Sequence, residues 1–68
     1  MATNNDFKMR FKNKKTGNIY FRVCSAIDAT NSRDGTVVVV YHPDDNENTI
    51  FVMEEKEFYE KFELLDLA

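Results

Sequence analysis

Thr36-Val37-Val38-Val39-Val40-Tyr41-His42 decides how the rest of this chain folds. Each of the four valines is branched at Cβ and stiff at χ1, and in a helix it would crowd the preceding turn. Asp34-Gly35 precedes the run and Pro43-Asp44-Asp45-Asn46 follows it. A short apolar run bracketed by such breakers reads as a buried strand. With apolar side chains pointing both ways, the strand needs cover on both faces and belongs inside a sheet.

Working outward toward the N-terminus, Phe7-Lys8-Met9-Arg10-Phe11 alternates apolar with charged residues. That period of two predicts a half-buried strand with Phe7, Met9 and Phe11 facing in. Residues 12–18 form a turn, in which Gly17-Asn18 supplies the positive φ of a tight reversal. Residues 19–27 read as a long second strand. Ile19, Phe21, Val23 and Ile27 lie on its inner face, and Tyr20, Arg22, Cys24 and Ala26 on the other. Ser25 interrupts the inner face and marks a bulge or bend. A polar loop, residues 28–35, leads into the valine strand.

Toward the C-terminus, Pro43 closes the valine strand because proline cannot donate to a ladder. Residues 42–49 make an acidic turn. Ile50-Phe51-Val52-Met53 is apolar throughout and reads as a fourth strand covered on both faces. The period then changes. Phe58 and Phe62 stand four apart with charges between them, which predicts one or two turns of helix over residues 55–61. Phe62-Glu63-Leu64 returns to strand as a short edge piece. Residues 1–6 read as a flexible terminus, 7–65 as a single β-rich domain and 66–68 as a tail. The fold class is therefore mainly β. The plan is a small five-stranded SH3-like, partly open barrel, or a curled antiparallel sheet, with one short helix. Its expected core is Phe7, Phe11, Ile19, Phe21, Val23, Val38, Val40, Phe51 and Phe62.

Size and composition bound what such a domain can do. A chain of 68 residues forms one domain and buries only about 60% of its unfolded surface. Its core supplies about 3–5 kcal/mol. The aromatic content of 13% is that of a folded protein, not a disordered one. Cys24 is the only cysteine and His42 the only histidine, which excludes an internal disulfide and a zinc cluster. Neither a membrane-spanning run nor a leader segment stands out. One free cysteine fits a reducing compartment, so the expected location is cytoplasmic. Charge is uneven: residues 1–33 carry seven cations and two acids, residues 34–68 two cations and ten acids. The halves offer opposite binding faces or neutralise each other in the fold.

Taken together, Gly17-Asn18-Ile19-Tyr20-Phe21-Arg22-Val23, Val39-Val40-Tyr41, Phe51-Val52-Met53 and Phe58-Tyr59-Glu60-Lys61-Phe62 resemble a family. It is a short bacterial and phage-associated domain family of unknown function. Its pattern is a Lys-Gly-Asn-x-Tyr-x-Val hairpin, a Val-Val-Tyr strand, a Trp-Val-Arg-Pro strand end and a closing Phe-x-Glu-Lys-Val. The likeness runs from about Phe11 to Leu64. Phe51 stands where the family has tryptophan, and Met53-Glu54 where it has Arg-Pro. The resemblance implies a small β-barrel without known catalysis and carries no functional residue over.

Four constellations are candidates for function. Tyr20, Arg22, Tyr41, His42 and Tyr59 combine rings with a cation, the residue types that interfaces favour, and suggest a surface for an unknown protein partner. Lys8, Arg10, Lys12, Lys14, Lys15, Tyr20 and Arg22 form a basic hairpin with an aromatic ring, able to hold phosphates and stack a base. Against nucleic acid stands an acidic sequence pI of about 5.0. Asp44, Asn46, Asn48 and Glu55 follow the spacing of a calcium loop, but Thr49 replaces the glycine that such a loop needs, and the preceding segment is a strand. An acidic hairpin turn accounts for them. Cys24 and His42 could make a nucleophile and base only if the fold joined them. Cys24 reads instead as a small buried hydrophobe, and His42 as a surface strand end.

The expectation is a non-enzymatic protein-binding module, an accessory or inhibitor protein of bacterial or phage origin, without cofactor, metal or membrane contact. The alternative is a nucleic-acid-binding module. Self-association through edge strands at residues 7–11 or 62–64 is a further expectation.

Overall fold

The computed structural model describes residues 9–67. The elements are β1 (Met9–Asn13), β2 (Ile19–Asp28), β3 (Thr36–Pro43), β4 (Phe51–Glu54), α1 (Glu55–Lys61) and β5 (Phe62–Leu67), with a 3-10 turn at Asn31–Arg33. The strands form one antiparallel sheet in the order β4-β3-β2-β1-β5. This is a partly open SH3-like barrel. β4 and β5 are the two edges, yet the seven-residue α1 alone joins them. A helix of that length rises about 10 Å, so the sheet must curl to bring its edges that close.

Local chemistry explains each element. At the first hairpin, Asn13 Oδ1 accepts the backbone N–H groups of Lys15 at 2.9 Å and Thr16 at 3.0 Å, an Asx turn. Gly17 then takes φ +81°, and its N–H donates to the Asn13 carbonyl at 2.8 Å. In α1, Glu55 and Glu57 occupy the first turn and Lys61 the last, matching the helix dipole. Lys61 Nζ donates to Glu57 Oε2 at 2.7 Å, the favoured order for a pair four apart. Phe62 caps the helix with its N–H on the Phe58 carbonyl, and its extended backbone already belongs to β5. A helix this short does not persist alone; Phe58, wholly buried, holds it to the sheet.

The core cluster is Phe11, Val39, Tyr41, Phe58 and Phe62, with Met9, Tyr20 and Met53 packed against it. Phe58 stacks on Phe62 at 4.5 Å between centroids and meets Phe11 edge-on at 5.0 Å. Each such buried side chain contributes about 1.5–3 kcal/mol. The helix at residues 55–61 stands where its period placed it, and Phe11, Val38 and Phe62 are buried as expected.

Several expectations are corrected. Among the described residues the first strand covers Met9–Asn13, and Phe7 and Lys8 lie outside them. β1 is interior, between β2 and β5, and is no edge. Before its bulge, β2 turns its faces the other way; beyond it, Cys24 and Ala26 lie on the outer face and Ile27 on the inner one, as expected. Its register with β1 sets Phe11 opposite Tyr20, and directly opposed residues share a face. Tyr20 therefore points to the core, while Ile19 and Phe21 lie half-buried on the outer face. A one-residue difference in hairpin register flips the side chains up to the bulge, and the Asx turn sets that register. The bulge falls between Arg22 and Cys24, not at Ser25, and leaves Val23 49% exposed. Val39 and Tyr41 take the inner face of β3, and Val40 is half-buried. Ile27, at the far end of β2, is 60% exposed because α1 packs mainly on β3, β4 and β5. Cys24 is exposed. β5 continues through Leu67, so residues 66 and 67 belong to the sheet rather than to a tail.

Candidate functional site

The five residues expected to form an aromatic partner surface are dispersed. Tyr41 is 6% and His42 4% exposed. Tyr41 meets Tyr20, Phe51, Phe58 and Phe62 with centroids 5.1–5.6 Å apart, so it is the hub of the core. Burial, then the neighbouring Tyr20 and Glu57, push its phenol above the ordinary tyrosine range. Tyr20 is half-buried against Phe62. Arg22 lies on the inner face opposite Met9 and Tyr41. It donates from Nη2 to Ser25 Oγ at 2.6 Å, and its buried Nε has no partner among the described residues. Tyr59 is 43% exposed, its ring edge-on to Phe58. Tyrosines that alternate onto a strand face served here to fill the space beside Phe58 and Phe62, which the strand pattern alone does not reveal.

The basic hairpin is divided by the same register. Arg10 and Lys12 sit on the outer face, whereas Tyr20 and Arg22 sit on the inner one. β5 then brings the acidic half of the chain alongside. Arg10 binds Asp66 through two bonds, Nε at 2.7 Å and Nη2 at 2.9 Å, and Lys12 Nζ lies 3.3 Å from Glu63. The hydrogen bond with Arg10 holds the Asp66 carboxyl below its usual range, and Asp66 raises the Arg10 guanidinium. Lys14 and Lys15, in the exposed turn, border a shallow depression shared with Glu60 and Lys61. Cation and carboxylate thus alternate along this side of the molecule.

The remaining candidates are structural. Asn46 closes its own turn, accepting from the Asn48 N–H at 3.1 Å and donating to Thr49 Oγ1 at 2.8 Å. Glu55 stands beyond β4 at the start of α1. Cys24 faces Val40 across the ladder, and His42 faces Phe21. The His42 ring hydrogen-bonds the Pro43 carbonyl at 2.7 Å, so Nδ1 carries the proton, and Nε2 is buried without a partner among the described residues. Among the described residues no helix is long and apolar enough to cross a membrane.

The surface that the sequence did not announce is the β4 edge. Ile50-Phe51-Val52-Met53 reads as covered on both faces, but Ile50 is 52%, Phe51 41% and Val52 61% exposed. Phe51 and Met53 stand on the inner face beside Tyr41 and Val39, and Val52 on the outer face beside Val40. One side of β4 pairs with β3, and no described strand lies on the other. The β5 edge differs. Its register shifts where Arg10 faces Asp66 and Phe11 faces Leu64, so Leu65 is an extra, bulged residue. Bulges and charges are the usual protections of an edge. β4 has no bulge, no proline and no lysine. Compared with family models, curated proteins and solved structures, the chain gives no match.

Proposed function

We propose that this domain is a protein-binding module that engages its partner through the β4 edge and the apolar residues around it. The observation that carries this reading is the row Ile50, Phe51 and Val52, three consecutive large apolar side chains that are each 41% or more exposed. Scattered exposed apolar residues are ordinary, but a contiguous patch on a sheet edge whose one charge, Glu54, stands at the strand's end marks an interaction surface. The site expected from Tyr20, Arg22, Tyr41, His42 and Tyr59 shifts accordingly, since Tyr41 and His42 lie in the interior. On this proposal the protein is an accessory domain without chemistry of its own.

Selection of random peptides displayed against the immobilised domain tests it. Selected peptides should bind the wild-type domain and lose binding to Val52→Lys, while Lys14→Ala with Lys15→Ala leaves binding unchanged. Selection that enriches nothing, or peptides that bind Val52→Lys equally well, would remove the reading.

A further inference from the structure

We infer that the occupant of the β4 edge is an extended, lysine- or arginine-bearing segment of a partner, added as a sixth strand. This inference rests on the protein-binding reading above and specifies its mode. Strand addition supplies main-chain hydrogen bonds from the alternate residues of β4 whose N–H and C=O face away from β3. Alternate side chains of the added strand then fall beside Phe51 and Met53 on the inner face and beside Val52 on the outer one. A surface depression of about 320 Å³, lined by Thr36, Val37, Glu54, Glu55 and Lys56, lies where β4 passes into α1 and can seat one side chain.

The charge of the occupant follows from what flanks β4. Residues 44–57 hold six acids and one lysine. Asp44, Asp45 and Glu47 lie in the turn before the strand and Glu55 at the start of α1 after it, while Glu57 is paired with Lys61. An apolar edge with acid at both ends attracts a strand whose apolar residues alternate with cations and repels an acidic one. The same charge disfavours a second copy, because antiparallel β4 pairing would bring two acidic segments together.

The experiment titrates the isotope-labelled full chain with the acetylated, amidated peptide Lys-Val-Lys-Val-Lys-Val-Lys. Controls are its glutamate counterpart and a version N-methylated along one edge. Binding should shift the amides of residues 50–54 and slow their hydrogen exchange. It should be at least about tenfold weaker for the glutamate peptide, weaken as salt rises to about 300 mM, and be lost on N-methylation. Equal binding of both charges, binding insensitive to N-methylation, shifts elsewhere, or no binding overturns the inference. A concentration-dependent dimer through β4 in sedimentation also overturns it. If display-selected peptides still depend on Val52 while the lysine peptide fails, strand addition by a basic segment is wrong and the protein-binding reading stands. If neither binds, both fail.

Discussion

At the residue scale, Phe58 and Tyr41 matter most. Phe58 is wholly buried, and three ring partners lie within 5.1 Å of it. Truncating such a residue costs about 3–5 kcal/mol, which equals the whole supply expected for a core this size. Phe58→Ala should therefore be largely unfolded at 25 °C, visible as collapsed amide dispersion in an NMR spectrum. Tyr41 predicts an alkaline effect. Its phenol is held above the ordinary range in the fold, mainly by burial. Above pH 10 the unfolded chain ionises this group first, so stability contributed by neutral Tyr41 falls as pH rises. Melting curves from pH 8 to about pH 11 should show a smaller loss for Tyr41→Phe than for wild type; parallel losses would rule this out.

At the element scale, the first hairpin and the β1–β5 pairing carry separate predictions. Gly17 holds φ +81° with open space where a Cβ would stand. Only backbone strain then penalises Gly17→Ala, by about 1–2 kcal/mol, and Gly17→Asn should cost less because asparagine tolerates that region. Urea midpoints order the three proteins. Between β1 and β5, the Arg10–Asp66 pair has both side chains more than a third exposed. Exposed pairs contribute little and are screened by salt. Asp66→Asn should lower the melting temperature slightly at low salt, and the difference should shrink at high salt. Because its carboxyl is held below the usual range, this contribution is present near neutral pH and disappears as pH falls through the carboxylate range.

At the scale of the whole molecule, the barrel stays open. Its sheet has two ends, one bulged and one regular. The opposite charges of the two halves are partly spent on each other across β1 and β5, through Arg10 with Asp66 and Lys12 with Glu63. What remains around β4 is acidic and apolar, and that asymmetry carries the functional reading. Val52→Lys tests it without disturbing the fold. Val52 is 61% exposed, so the substitution should change stability by no more than about 0.5 kcal/mol. A larger loss in chemical denaturation would mean that Val52 supports the fold rather than a partner.

Strand existence, helix position and fold class were legible in the residues. Four valines in a row cannot sit easily in a helix, Phe58 and Phe62 stand four apart with charges and no β-branched residue between them as on a helix face, and Gly17 permits a turn that few residues allow. These are local constraints, set by each residue's own sterics and spacing. Which face of β2 turns inward, which tyrosine is core, and which edge is left open were decided by tertiary structure. Val23 and Phe21 match the inner-face pattern as well as Tyr20 does, and only the pairing of Phe11 with Tyr20, with the bulge at Val23, chooses between them. The exposure of Ile50, Phe51 and Val52 depends in the same way on β4 ending the sheet. Hydrophobicity states that a side chain favours cover, but only the assembled neighbours determine whether it receives any.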